Sequence, residues 1–203
     1  MKEMIKNAVI LIIITIVAGA VLGLVYQTTK DTIAAREEAD KKAAYQEVFN
    51  DASDFVAVTD YMTDSARMKL DDAGFSAITI DELYTAKDSS GNALGTVFVV
   101  TTSEGYGGNI KFTVGIRNDG TINGISILTI NETAGLGMNA EKVLKPQFAN
   151  KNVSQFTVTK TGSVTDSEID AISGATITSN AFTNGVNCCI TYFYDVMGGV
   201  SNE

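Results

Sequence analysis

The sequence predicts an α+β fold: an N-terminal transmembrane helix and helical stalk, then a largely antiparallel sheet with packed helices. Three observations support this prediction. A long apolar run opens the chain, strand-forming residues separated by short turns fill its middle, and helical periodicity returns near the C-terminus. Strands that come early and helices that come late are typical of α+β domains, in which helices cover the sheet. With 203 residues, the chain is long enough for one domain and an anchor.

The first element is a membrane anchor. Residues 8–26 carry no charged side chain and are rich in Ile, Val and Leu. As a helix they span roughly 28 Å, close to the hydrocarbon thickness of a bilayer. Lys2 and Lys6 lie in the tail 1–7, and positive charge favours the cytoplasmic side. We therefore expect a single-pass protein of the inner membrane, with a cytoplasmic N-terminus and an extracytoplasmic C-terminal domain. A cleaved signal peptide is the alternative, but no clear small-residue cleavage site closes the run.

The stalk and the domain follow the anchor. Residues 27–49 are polar, alanine-rich and of high helix propensity, so they are expected to continue the membrane helix outward. Residues 50–203 then form the extracytoplasmic domain. An Asp-Gly turn between two alternating strands is a strong hairpin signal, so the simplest sheet is an antiparallel meander. The expected strands of this sheet are 78–86, 94–102, 110–117 and 121–130.

Shorter elements complete the expected domain. Helical patterns occupy 65–72 and 138–144, and Pro146 indicates a break after the second of them. Two short strands are expected over 155–160 and 169–172. Apolar residues then recur at helical spacing from Ile177 to about residue 196, which predicts the last helix.

The composition excludes several classes of function. The chain has no histidine, which removes the commonest metal ligand and the commonest general base. The formal net charge of -9 argues against a nucleic-acid partner. Cys188 and Cys189 are adjacent, so on a helix they point to different sides and form neither a zinc pair nor a CxxC redox motif. We expect them to be two small buried residues of the last helix.

Three glycine-rich loops are the candidates for a binding site. They are Glu-Gly-Tyr-Gly-Gly at 104–108, Glu-Thr-Ala-Gly-Leu-Gly at 132–137 and Asp-Ala-Ile-Ser-Gly-Ala-Thr at 170–176. None of them has the Gly-Lys-Ser/Thr of a Walker loop or the pattern of a dinucleotide fingerprint. Each could be a plain turn, so the case for a site depends on all three together.

The third loop leads into the last helix. The first turn of a helix offers unpaired N–H groups and the positive end of the dipole, which together suit a phosphate. Thr176 places a hydroxyl in that turn, and the small residues Gly174 and Ala175 let the backbone come close to a ligand. An ordinary helix start capped by Ser173 is the alternative interpretation.

The anchor and the three motifs, in this order, resemble the FMN-binding domain of RnfG-type proteins, the G subunits of Rnf ion-translocating electron-transport complexes. The same domain occurs in NqrC, the C subunit of the sodium-translocating NADH:quinone reductase. The resemblance covers the whole chain, and Ser-Gly-Ala-Thr at 173–176 is its most specific part. In this family a flavin transferase joins FMN, taken from FAD, through its phosphate to the motif threonine. The resemblance therefore implies FMN covalently attached to Thr176. Ala134 stands where the family often has proline, which leaves both glycines of that loop in place.

The resemblance also implies a function and a set of site residues. The function is that of a membrane-anchored flavoprotein that relays electrons within an Rnf-type complex, with the other membrane and redox subunits as partners. We expect residues 132–136 to contact the flavin ring, Thr178 to be a second candidate for attachment, and Asp170 to serve the transferase or the loop. The implied FMN-binding residues are Glu132, Thr133, Gly135, Leu136, Asp170, Ser173, Gly174, Ala175, Thr176 and Thr178.

Three alternative functions stay open on the sequence. The first is that of the C subunit of the quinone reductase, although the compact length resembles the Rnf protein more. The second is a hydrolase or transferase that uses Ser173 or Thr176 as a nucleophile. No histidine is present to activate either residue, but a lysine base is conceivable, with Lys142 or Lys160 as candidates. The third is a non-redox, membrane-anchored binding domain whose glycines only form turns.

Overall fold

The structure, a computed structural model, describes residues 1–199 and divides into the units Met1–Lys42 and Ala43–Glu203. Helix α1 (Lys2–Val48) is continuous, so the expected transmembrane helix and stalk form one uninterrupted element. By length and composition, α1 is the one helix within residues 1–199 that is apolar enough to cross a membrane. Ala44, Tyr45 and Val48 are buried in the second unit, so the last turns of α1 belong to the domain.

A five-stranded antiparallel sheet forms the centre of the second unit, and it confirms the predicted meander. The strands lie in the order in which they follow one another along the chain. The first strand was not predicted because it is four residues long and its side chains are mostly exposed, which leaves no clear alternation. The strands are β1 (Asp54–Ala57), β2 (Ile78–Lys87), β3 (Ala93–Thr102), β4 (Ile110–Arg117) and β5 (Ile122–Thr129).

Both faces of the sheet are covered, which explains the unbroken apolar run in β3. Phe98 packs in the larger hydrophobic cluster on one face, whereas Val97 packs with Val48 and Phe49 on the other. Strands that are buried on both faces lose the alternation of polar and apolar residues. Phe49, the residue after α1, lies close to the sheet: a Cβ on Gly95 of β3 would lie 2.7 Å from its Cζ.

The last helix, α4 (Thr176–Asp195), lies across the opposite face of the sheet. A Cβ added at Gly185 would lie 2.5 Å from Cζ of Phe112 on β4, so glycine permits this close approach. The rings of Phe112 and Phe182 are 4.9 Å apart between centroids, and both side chains are fully buried. Burial of these aromatic side chains fixes α4 on the sheet and thereby positions its N-terminus.

The remaining elements surround the start of α4. Helix α2 (Asp64–Asp72) lies where a helix was predicted, and the Thr63 hydroxyl caps it by accepting from the Ala66 N–H at 3.2 Å. The helix predicted over 138–144 is shorter than expected, because 3₁₀ turns flank it and Pro146 lies in the second turn. The elements of this region are the turn Gly137–Asn139, α3 (Ala140–Val143) and the turn Lys145–Phe148.

Two short strands pair in parallel beside the sheet. They are β6 (Thr157–Thr159) and β7 (Glu168–Asp170), each shorter than predicted. The amide of Asn187 on α4 holds the chain before β6, since it accepts from the Phe156 N–H at 2.8 Å and donates to the Phe156 carbonyl at 2.9 Å. The pairing of β6 with β7 places the chain after β6 beside the loop that leads into α4.

The two cysteines are free and buried, as expected from the sequence. Burial raises the pKa of Cys188 to about 12 and the pKa of Cys189 well above its usual value. Both thiols therefore stay protonated at pH 8, and a protonated thiol is a poor nucleophile. We expect a thiol reagent such as Ellman's reagent to label neither cysteine in the native protein at pH 8, and to label both in urea. Rapid labelling of the native protein would contradict this prediction.

Candidate functional site

A cavity of about 490 Å³ lies where the three glycine-rich loops meet. Its volume falls within the range of roughly 300–1,000 Å³ that small-molecule sites have. All three loops contribute to its wall. The lining residues are Tyr106 from the first loop, Glu132, Thr133, Leu136 and Gly137 from the second, and Gly174, Ala175, Thr176, Ile177 and Thr178 from the third loop and the start of α4.

A network of hydrogen bonds holds the third loop. The buried Ser179 hydroxyl accepts from the Ile172 N–H at 3.0 Å and donates to the Ala175 carbonyl at 2.9 Å. The Ala175 N–H in turn donates to the Ile172 carbonyl at 2.9 Å. Gly174 has a φ of +78°, a conformation that favours glycine. The loop is therefore shaped by its own contacts and by the first turns of α4.

The start of α4 is not capped by a side chain. The cap position is Ala175, so the interpretation of Ser173 as the cap is wrong. The left-handed turn at Gly174 separates the exposed Ser173 from the first helical residue. Within the described part of the chain, no group accepts from the N–H groups of Thr176 and Ile177. These donors and the positive end of the dipole lie at the cavity, an arrangement that suits an anion.

The second loop packs directly on the third. A Cβ on Gly174 would lie 3.1 Å from Cδ2 of Leu136, so the two loops are in contact there. At Gly137 a Cβ would lie 2.7 Å from both Cβ of Glu132 and Oγ1 of Thr178, which leaves room for glycine alone. The glycines of this loop therefore allow it to approach the start of α4.

The first loop is tied to the second loop and to α4. The Tyr106 N–H donates to Oε1 of Glu132 at 2.8 Å. A Cβ on Gly107 would collide with the carbonyl oxygen of Asn131, so the two backbones touch. The Asn184 amide of α4 donates to the Glu104 carboxylate at 2.8 Å. These contacts hold the exposed ring of Tyr106 at the rim of the cavity.

Removal of the Glu132 carboxylate should loosen the first loop. In Glu132→Ala, the Tyr106 N–H loses a charge-assisted hydrogen bond, and we expect exchange of that amide to become roughly tenfold faster. Glu132→Gln retains an acceptor and should have a smaller effect. Hydrogen exchange of the peptide that covers 103–109 measures this change. Thr133→Ala, on the same loop, is the control, and equal exchange in Glu132→Ala and in the control would show that the carboxylate does not hold the loop.

The structure brings most of the predicted site residues together. Three of the predicted residues do not line the main cavity. Gly135 shapes the second loop through its φ of +78°, and Ser173 lines a neighbouring cavity. Asp170 lies on β7, where its carboxylate accepts from the Ser163 hydroxyl at 3.2 Å. The predicted residues that line the main cavity are Glu132, Thr133, Leu136, Gly174, Ala175, Thr176 and Thr178.

Three lining residues were not predicted as part of the site. Tyr106 lies in a loop that the sequence singled out, and an aromatic side chain among glycines was the available signal. Ile177 matched the apolar spacing of α4, but it is 52% exposed and faces the cavity. Gly137 was predicted only as a loop glycine. The cavity therefore combines apolar and aromatic side chains with three threonines, Glu132 and free backbone donors at the helix start, which suits a planar ring that carries a phosphate.

Comparison with known families agrees with this chemistry. Residues 105–191 match the model of the FMN-binding domain, and residues 1–48 match that of the RnfG N-terminal region. The chain therefore carries an FMN-binding domain. The second match coincides with α1, the candidate membrane helix.

Relatives of known identity match nearly the whole chain. The G subunit of the Na⁺-translocating ferredoxin:NAD⁺ oxidoreductase complex of Acetobacterium woodii is 34% identical over 197 residues, which cover 96% of this chain and 94% of the relative. The G subunit of the ion-translocating oxidoreductase complex of Methanosarcina acetivorans is 33% identical over 193 residues, which cover 94% of this chain and 95% of the relative. Among solved structures, Shewanella oneidensis NqrC aligns with a TM-score of 0.47 at 18% identity, over 58% of this chain and 61% of that chain. The full-length relatives show that this chain belongs to the family of G subunits of Rnf-type ion-translocating oxidoreductase complexes.

Proposed function

We propose that this protein is a membrane-anchored flavoprotein that carries FMN covalently on Thr176 and relays electrons within an Rnf-type ion-translocating complex. The position of Thr176 carries the proposal. It is the first residue of α4, and it lines the cavity that all three glycine-rich loops form. A hydroxyl at this point can hold a phosphate at the helix start while the attached ring occupies the cavity.

The burial of the two threonines favours Thr176 over Thr178 as the attachment point. Thr176 is partly exposed, whereas Thr178 is 1% exposed and its hydroxyl lies against Gly137. A flavin transferase has to reach the hydroxyl that it modifies. The accessible threonine is therefore the better substrate, and Ser173 and Gly174 beside it are exposed as well.

The residues around Thr176 have separate tasks towards the cofactor. The N–H groups at the start of α4 would donate to the phosphate, and the helix dipole would stabilise its charge by about 0.3–1 kcal/mol. Leu136, Ile177 and Tyr106 would cover the ring and limit its contact with water. Bound FMN supplies the electron-transfer chemistry, while the protein contributes position and electrostatics. Such a relay requires no histidine or reactive thiol.

The alternative of a nucleophilic enzyme needs a base beside Ser173 or Thr176, and of the two candidate bases Lys160 lines a cavity with both residues. In the described part of the chain, neither Lys142 nor Lys160 forms a hydrogen bond with Ser173 or Thr176. The full-length relatives are G subunits, which favours the Rnf-type assignment over the quinone-reductase protein.

The proposal extends to orientation and partners. Lys2 and Lys6 precede the apolar part of α1, so the N-terminus lies in the cytoplasm and the domain outside it, at the inner membrane. The partners are the other membrane and redox subunits of the complex and, during maturation, a flavin transferase. Covalent attachment would retain the flavin in a compartment where a dissociated cofactor is lost.

Mass spectrometry tests the attachment directly. The full chain is purified from membranes of a host that exports it and supplies a flavin transferase. We expect the intact mass to increase by one FMN phosphoester, and the modification to map to the peptide that contains Thr176. An unmodified mass, or a modification on another peptide, would contradict the proposal.

A further inference from the structure

A second cavity adjoins the first one at Thr176. Its volume is about 300 Å³. Gly174 and Thr176 line both cavities, so the two cavities meet at the start of α4. The residues that line the second cavity are Lys160, Ala171, Ile172, Ser173, Gly174 and Thr176.

The two cavities differ in chemistry. Leu136, Ile177 and Tyr106 give the first one apolar and aromatic walls. Lys160 and Ser173 line the second one. An FMN group attached to Thr176 has two unlike parts, a flat and largely apolar ring and an anionic phosphodiester. The apolar walls of the first cavity suit the ring. The phosphodiester lies at Thr176, where the two cavities meet, so both the N–H groups at the start of α4 and the lysine of the second cavity are available to it.

The backbone places Lys160 beside the third loop. Lys160 directly follows β6, and β6 pairs in parallel with β7, which leads into that loop. The pairing continues past the strand, since the Ala171 N–H donates to the Thr159 carbonyl at 2.9 Å. The strand pairing therefore holds the backbone before Lys160 next to the Thr176 loop, while Lys160 itself is exposed.

Lys160 differs from Lys145 and Lys151 in its contacts. Lys151 forms an ion pair with Asp166, and Lys145 forms ion pairs with Glu47 and Glu141. Over residues 1–199, the Lys160 ammonium forms neither a hydrogen bond nor an ion pair. A cation without a carboxylate partner in a polar cavity is available to an anion that arrives there.

We propose that Lys160 is the counter-ion of the phosphodiester that joins FMN to Thr176. This inference rests on the proposed function of Thr176. A lysine ammonium is a compact point charge that pairs well with a phosphate, and hydrogen bonds of this kind are stronger than neutral ones. Lys160 thereby stabilises the flavin-carrying protein, whereas the protein without flavin gains nothing from the charge.

Thermal unfolding of the full chain in detergent, with and without the flavin, tests the proposal. Each variant is produced with and without a flavin transferase, and its flavin content is measured by intact mass. We expect attachment of FMN to raise Tm in the wild type. In Lys160→Met this increase should be roughly 2–4 °C smaller, the shift expected when one charge-assisted hydrogen bond is lost from a protein of this size. Lys160→Arg should retain the increase.

The control is Lys142→Met. Lys142 also forms no hydrogen bond or ion pair within the described residues, but it lies on α3 and does not line either cavity. Lys142→Met should therefore leave the flavin-dependent increase in Tm unchanged. High salt should reduce this increase in the wild type and much less in Lys160→Met, because salt screens the charge interaction.

The outcomes separate this inference from the proposed function. An equal increase in Tm in Lys160→Met and the wild type would overturn the role of Lys160 while the attachment at Thr176 stands. Loss of flavin from Lys160→Met with retention in Lys160→Arg would support the role of the charge, acting already at attachment. Loss of flavin from both Lys160 variants would overturn the counter-ion role, and a wild-type protein without flavin would overturn both proposals.

Discussion

Replacement of Thr176 by alanine should abolish covalent flavin while the protein remains folded. The phosphoester requires a hydroxyl, and alanine provides none. Thr176 is partly exposed and its side chain forms no hydrogen bond within the described residues, so its loss should change the free energy of unfolding by roughly 0.5 kcal/mol or less. Flavin fluorescence after denaturing electrophoresis measures the effect. We expect a fluorescent band for the wild type and none for Thr176→Ala.

The neighbouring threonine supplies the matched control. Thr178→Val has nearly the same shape as the native side chain and removes the second hydroxyl at the start of α4. If Thr176 is the attachment point, Thr178→Val keeps the fluorescent band. A band that persists in Thr176→Ala but disappears in Thr178→Val would reassign the attachment to Thr178. Circular dichroism of both variants establishes that loss of flavin is not loss of fold.

Replacement of Phe112 by alanine should have the largest effect on stability. Phe112 is fully buried on β4, packs on Phe182 and lies directly under Gly185 of α4. Truncation of a buried phenylalanine costs about 3–5 kcal/mol, because it removes apolar contacts and leaves a cavity. A domain is stable by only about 5–15 kcal/mol in total, so this loss is a large part of its stability. The midpoint of urea unfolding, followed by tyrosine fluorescence, should fall accordingly.

A surface position on the same sheet provides the comparison. Val56 on β1 is 40% exposed, and Val56→Ala should lower the free energy of unfolding much less than Phe112→Ala does. Equal losses in the two variants would show that the contact between β4 and α4 contributes little to stability.

Phe112→Ala should also reduce flavin attachment, because Phe112 supports the helix that presents Thr176. Comparison of Thr176→Ala with Phe112→Ala thus separates loss of the acceptor hydroxyl from loss of the helix packing that supports it.

Local patterns in the sequence determined the main elements of this protein. The apolar run predicted one membrane-length helix, the strand-forming segments and the Asp-Gly turn predicted the meander, and helical spacing predicted α4. Each of these signals depends on residues that are close together along the chain, so it can be read without the fold. The third glycine-rich motif likewise indicated Thr176 as the attachment point, which stays a prediction.

Only the tertiary structure decided how the site is assembled. The contact between Tyr106 and Glu132 joins residues 26 positions apart, and the contact between Leu136 and Gly174 joins two separate loops. No local pattern reports such contacts, which is why Tyr106 and Ile177 were not predicted to line the cavity. From the sequence, Lys160 was only a candidate base for Ser173 or Thr176, and no local pattern indicated that it lies near them. Its place beside Thr176 follows from the pairing of β6 with β7, and that pairing depends on the packing of both strands against the rest of the domain.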